Sequence, residues 1–209
     1  MSSFIAPCLL IMIGIAILMP IINFFARIGY NEAWNDLAKQ TGLIFKPATF
    51  FDHQRAVFGV YRQRQIRLET FEERLESFDR YSATSTYTRI VVLLNRPTNL
   101  SMTLQEVGML NRIGEALGMK DVQIGDEDLD RRFNIQGQPQ NEIVRLLSIF
   151  EVRKRLWLAF DLNIKVEGQV ITYKKYDVEI NPDTLIGLFD LLCLLADEID
   201  HLQHPEIIS

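Results

Sequence analysis

The stretch Phe4 to Phe25, FIAPCLLIMIGIAILMPIINFF, carries no charged side chain and constrains every fold open to this chain. About twenty apolar residues is the length a helix needs to cross the hydrocarbon core of a bilayer. Each centrally placed Leu, Ile or Phe favours insertion by roughly 0.3 to 0.6 kcal/mol, so the run inserts favourably even after Pro7, Pro20 and Asn23 take some of that back. The pattern predicts one retained transmembrane anchor within residues 1–29, kinked near Pro20, where a backbone donor is missing. A cleaved leader would show a basic segment before the run and a small-residue cleavage site after it, and MSSF and PIINFFARIGY supply neither. A lipidated cysteine would follow the run, whereas Cys8 precedes most of it. An amphipathic surface helix needs a polar face, and this run is apolar all round.

Cations after the run set the expected orientation. Arg27, Lys39, Lys46 and Arg55 lie on its C-terminal side, and the positive-inside rule then puts the large C-terminal part in the cytoplasm, with Glu32 and Asp36 diluting the signal. Residues 30–209 are enough for one domain with a sizeable core. A net charge of −5 lacks the clustered Lys and Arg of a nucleic-acid footprint, so the expected partner is the lipid bilayer, through residues 4–25, and not nucleic acid. Cys8 in the span and Cys193 in a late apolar run are too differently placed to pair, which leaves the redox compartment open.

Periodicity predicts an α+β domain of β-hairpins and about four helices. Tyr30 to Thr41 reads as a short amphipathic helix with Ala33, Trp34, Leu37 and Ala38 on one face and Gly42 as its stop. Trp34 suits either core packing or anchoring at the membrane interface. Val57 to Arg62 and Gln65 to Phe71 alternate as a hairpin, although Gln63-Arg64 is a weak turn pair. A polar segment, Glu72 to Arg80, leads to a strand over Ala83 to Leu94, ended by Asn95-Arg96-Pro97. Leu104, Val107, Leu110, Ile113 and Leu117 stand at helical spacing, and Pro139 opens a long helix so broadly apolar that it belongs at the centre of the core. NIKVEGQVITYKKY forms a second hairpin around Glu167-Gly168. Asn181-Pro182 caps a final helix, Asp183 to about His201, whose apolar run is too short for a second span and contains Asp190.

Few side-chain groupings point to chemistry. In IGDEDLDRRF the alternation of Asp126, Asp128 and Asp130 suggests a calcium loop, but the Gly and Glu that such a loop needs are replaced by Arg131 and Gly137. The plainer expectation is that Asp126 caps a helical turn while Asp130 pairs with Arg131 or Arg132. In DEIDHLQH, Asp197 with His201 and Asp200 with His204 stand four apart, a spacing from which Asp197, His201 and His204 could hold a metal, although the H-E-x-x-H order is missing. Arg153, Lys154 and Arg155 form a small basic patch, suited to solvent or to lipid head groups. Neither phosphate cradles nor nucleophile elbows occur, so no cofactor and no catalytic residue is expected.

The span followed by a segment with Trp34, the arm Val57-Phe58-Gly59-Val60-Tyr61-Arg62, and above all Gly125-Asp126 with Leu129-Asp130-Arg131-Arg132-Phe133 resemble a family of uncharacterised, single-pass, membrane-anchored bacterial proteins. Leu129 stands where that family often has Phe, an apolar exchange. The resemblance implies a membrane location and an α+β domain, and it brings no activity. The sequence therefore points to a membrane-tethered, non-catalytic interaction or scaffold domain. Its rivals are a membrane-bound, metal-dependent enzyme using residues 126–130 or 197–204, and a lipid or amphiphile binder with an apolar cavity between helices and sheet.

Overall fold

The computed structural model describes residues 28–49, 54–75, 83–107 and 122–203, together with Leu18. Apart from Leu18, the expected anchor Phe4 to Phe25 lies outside the described residues, as do His204 and the helical pattern from Leu110 to Leu117. Among the described residues no helix is long and apolar enough to cross a membrane.

Eight strands form one antiparallel sheet: β1 (Ile44–Lys46), β2 (Ala56–Tyr61), β3 (Arg64–Leu75), β4 (Ala83–Leu93), β5 (Ser101–Glu106), β6 (Phe133–Gln138), β7 (Asn163–Glu167) and β8 (Val170–Tyr176), in the spatial order β1-β2-β3-β4-β8-β7-β5-β6. Among the described residues five helices accompany it: α1 (28–41), α2 (Glu127–Arg132), α3 (Gln140–Leu147), α4 (Phe150–Leu158) and α5 (Pro182–Gln203). Side chains alternate across a strand, so one sheet face collects Val57, Ile66, Leu68, Ile90, Val92, Leu104, Ile135, Ile164 and Ile171, all buried in the core. Trp34 and Leu37 of α1, Ile143 and Leu146 of α3, Val152 and Leu156 of α4 and the apolar side of α5 belong to the same core. The other sheet face carries Arg67, Thr103, Gln136, Lys165 and Thr172 and is open to water, as antiparallel sheets permit.

The fold corrects several expectations. Residues 101–106 form a strand rather than the start of a helix, with Met102 and Leu104 inward and Ser101 and Thr103 outward. The long helix after Pro139 is two helices. Ile149 takes an extended conformation (φ −64°, ψ 125°) between them, and α4 leaves Phe150, Trp157 and Leu158 exposed instead of central. Glu72 to Leu75 continue β3 rather than forming a loop. Both hairpin turns sit one residue from their expected places, at Arg62-Gln63 and Gly168-Gln169. Arg62 and Gln63 have φ of 46° and 65°, the left-handed pair that a two-residue turn requires, achieved here without glycine.

The starts of α1 and α5 share one end of the domain. β1 runs toward Ala48, and α1, joined to it by the tight turn at Gly42, begins at that same end: Asn31 exchanges hydrogen bonds with Ala48 (3.2 and 3.3 Å), and the Arg55 guanidinium lies 4.9 Å from the Tyr30 ring centre. Trp34 is fully buried and donates its indole N–H to the Glu179 carbonyl at 2.8 Å, so it is a core residue and not an interfacial one. α5 therefore starts at the end where α1 starts, with Asn181 capping it by accepting from the N–H groups of Asp183 and Thr184.

Candidate interaction surface

The GD and LDRRF residues build a corner and not a cation loop. Gly125 adopts φ +79°, Asp126 accepts from the N–H groups of Asp128 (3.2 Å) and Leu129 (3.3 Å) as the cap of α2, and its other oxygen meets Arg153 at 3.2 Å. Asp130 does not pair with Arg131 or Arg132. Its carboxylate accepts from the N–H groups of Ile124 (2.8 Å) and Gly125 (3.1 Å), holding the loop ahead of the helix. Arg131 makes a long, exposed contact with Asp128, and Phe133 and Ile135 are buried on the inner sheet face.

Arg132 has the role that sequence reading missed. α4 ends without a glycine cap, so its last carbonyls need donors from elsewhere. Arg132 supplies them to Leu156, Trp157 and Ala159 and also pairs with Glu106 at 3.0 Å. Its guanidinium lies 4.9 Å from the ring centre of Phe133 and 5.5 Å from those of Trp157 and Phe160. One cation thus fixes the chain where two aromatic side chains turn outward. The only advance signal was an uncapped helix end in KRLWLAFD and an arginine pair far from it in sequence.

Asp197 and Asp200 of the 197–204 grouping belong to an ion-pair network. Arg64 donates to Asp197 through Nε (2.8 Å) and Nη2 (2.6 Å) and to Asp200 through Nη1 (2.5 Å), and Asp200 also accepts from the Asn95 N–H at 3.2 Å. Burial works against the charge of Arg64, and the two carboxylates outweigh it and raise its pKa. His201 is exposed, and no three His, Cys, Asp or Glu side chains converge to hold a metal among the described residues. The acidic corner at α2 is tied to α4, whereas Asp197 is tied to the β2–β3 turn, so the two acidic groups are not brought into one site.

The basic patch is mostly engaged with carboxylates. Arg153 meets Asp126 and Arg155 meets Asp190 at 3.3 Å, while Lys154 is exposed. Asp190, inside the apolar run of α5, also receives Tyr61 and Arg62, both at 2.9 Å. Cys193 is buried with its thiol 3.8 Å from the Tyr61 carbonyl, and burial pushes its pKa up to about 11, which leaves little thiolate near neutrality.

A rim of large apolar side chains lies on α4 and the residues after it, apart from the singly exposed Ile44 and Val60 at the other edge of the sheet. Phe150, Leu158 and Phe160 are 68%, 71% and 72% exposed and Trp157 is 43% exposed. Two open surface hollows of about 460 Å³ flank this rim. One is walled by Asp126, Phe150, Arg153 and Trp157, the other by Leu158, Phe160, Lys175, Glu179 and Leu188. In the second, Lys175 bridges Glu179 (2.6 Å) and Asp161 (3.4 Å). Burial disfavours both charges, and their mutual hydrogen bond overrides it, holding Glu179 below and Lys175 above their ordinary pKa values. The arrangement offers apolar contact area with carboxylate–cation pairs around it.

No family model matches the chain, and no curated protein matches its sequence. Among solved structures, the crystal structure of the mycobacterial trehalose monomycolate transport factor A, TtfA, has a similar fold, with a TM-score of 0.50 and 12% identity over 83% of this chain and 94% of that one. At that identity the likeness concerns the fold alone.

Proposed function

We propose that this chain is a membrane-tethered, non-catalytic interaction domain, held by Phe4 to Phe25 and presenting the rim on α4 as its contact surface. The observation that carries this reading is the contrast between two sets of side chains. The carboxylates and cations with chemical potential, Asp126, Asp130, Asp197, Asp200, Arg64, Arg132 and Arg153, are engaged in holding the fold, while Phe150, Trp157, Leu158 and Phe160 are left in water at a cost. Exposed apolar side chains grouped in this way mark contact sites in folded proteins. The resemblance to single-pass bacterial proteins fits the reading, since the GD and LDRRF residues that carry it shape the corner behind the rim. A similar fold also serves in a protein named a transport factor. The domain lies on the cytoplasmic side in this reading, and a C-terminal alkaline phosphatase fusion is then inactive.

The reading is tested by placing a photo-crosslinking amino acid at position 158 or 160 of the full chain in native membranes, with position 165 on the open sheet face as control. Adducts at 158 and 160 and none at 165 support it. Equal adduct formation at all three positions, or none at the rim, contradicts it.

A further inference from the structure

We infer that the occupant of this rim is the lipid bilayer itself: the end of the domain where α1 begins rests on the membrane surface, with Trp157, Leu158 and Phe160 in the interfacial zone. The inference rests on the reading of Phe4 to Phe25 as a span, and the structure adds two independent observations to it.

The first is where the exposed apolar residues gather. α1 starts beside Ala48 and Arg55, and its Trp34 is bonded to the carbonyl of Glu179. Glu179 pairs with Lys175, which reaches Asp161, the neighbour of Phe160. Arg132 then ties Phe160 to Trp157 and to the last carbonyls of α4. Ile28, Trp157, Leu158, Phe160 and Ile180, all exposed, therefore belong to one end of the molecule. The open sheet face at β5 to β8, by contrast, is polar.

The second is the length of the tether. Only Ala26 and Arg27 separate Phe25 from Ile28, the first residue of α1 described. Three residue steps reach about 11 Å at full extension. So short a connection keeps the start of α1 at the head groups, and because the last turn of α4 lies at that same end of the strands, on the β5–β6 side of the sheet, the domain resting on this end puts Trp157, Leu158 and Phe160 against lipid.

The chemistry of the end suits that contact. Rings of Trp and Phe and a branched aliphatic side chain partition into the interface, and the exposed Lys154 on α4 has a stem long enough to lie along it with its ammonium in water. With a net charge of −5, and with Lys175 neutralising only one of the two nearby carboxylates Asp161 and Glu179, attraction to anionic head groups is not the driving force. Apolar insertion is, and zwitterionic lipid suffices.

The test uses the full chain reconstituted into phosphatidylcholine vesicles whose acyl chains are brominated near the glycerol end. The chain has two tryptophans, and Trp34 is buried in the core with its indole N–H satisfied, so quenching by bromine reports on Trp157. Interfacial side chains sit about 5 to 10 Å into the head-group and acyl boundary, within reach of such bromines. The expected result is a marked loss of emission against unbrominated vesicles, absent in Trp157→Phe and reduced in Leu158→Asp/Phe160→Asp. Three results overturn the inference. Protein that floats with the vesicles while Trp157 is quenched by aqueous iodide and not by bromine means that the rim stays in water. Protection from both quenchers means that a second copy covers it. Protein that does not float with the vesicles at all removes the span reading as well, which separates that failure from the other two.

Discussion

Replacing Arg64 by Met decides whether the 197–204 grouping is an ion-pair network or a metal site in waiting. Arg64 is 5% exposed, and Met fills much of its stem volume while removing all three of its donations to Asp197 and Asp200. Removing one partner from a fully buried pair costs about 3 to 5 kcal/mol, because the other charge is left without compensation. Here the two acceptors differ. The side chain of Asp197 is 46% exposed and water recovers much of its loss, whereas that of Asp200 is 15% exposed and is held in place by the Asn95 N–H. The expected cost is therefore about 2 to 3 kcal/mol, below the fully buried case. Spread over a domain of this size it lowers Tm by roughly 5 to 10 °C. Arg64→Met/Asp200→Asn should be less destabilised than the sum of the single variants, with a coupling of about 1 to 2 kcal/mol. Urea denaturation of the purified protein followed by near-UV circular dichroism measures all three. A change below about 0.5 kcal/mol in Arg64→Met, the range of ordinary surface substitutions, would refute the network. So would zinc raising the Tm of the wild type through Asp197 and His201.

Gly137 has φ +146°, and a Cβ there would stand 2.0 Å from the Ser101 carbonyl oxygen and 2.8 Å from the Met102 Cα. Both obstacles are backbone of the paired strand, so Gly137→Ala should cost more than the roughly 1 to 3 kcal/mol of backbone strain alone, read as a fall in urea midpoint. Phe133→Ala should cost about 3 to 5 kcal/mol for a buried ring, and Asp130→Asn about 1 to 3 kcal/mol, because one of two accepted backbone N–H groups loses its oxygen. The pH dependence follows from Glu69 and Glu179. Burial opposes their charge, but Arg67 and Arg89 on the one and Lys175 and backbone N–H groups on the other hold both below their ordinary value of 4.5. Their contribution is complete above that value and lost as pH falls through the lowered pKa values, so melts in acid should show a declining limb that Glu179→Gln makes shallower.

Much of the sheet was legible because its residues alternate. β4 and the β7–β8 hairpin lie where Thr, Tyr, Ile and Val content puts them, and α5 is capped by the Asn181-Pro182 pair that announces it. β5 is hidden in the sequence because Leu104 also falls in phase with Val107 and later residues, so a helical period competes with the alternation of Leu100, Met102 and Leu104. The break at Ile149 has no Gly or Pro to signal it. Continuous periodicity across it made Phe150, Trp157 and Leu158 look like core, when a change of axis turns them out. The surface on which the function rests was therefore hidden by the same feature that made the segment look central. Arg64 and Asp197 lie 133 residues apart in sequence, and local pattern carries no signal for such a pair.

The claim that the domain is tethered through Phe4 to Phe25 is tested most directly by alkaline carbonate extraction of membranes holding either the full chain or a version beginning at Ile28. The full chain should remain in the membrane pellet and the shortened one should leave it, because the rim on α4 gives contact without a span. Release of the intact full chain into the carbonate supernatant would contradict the account.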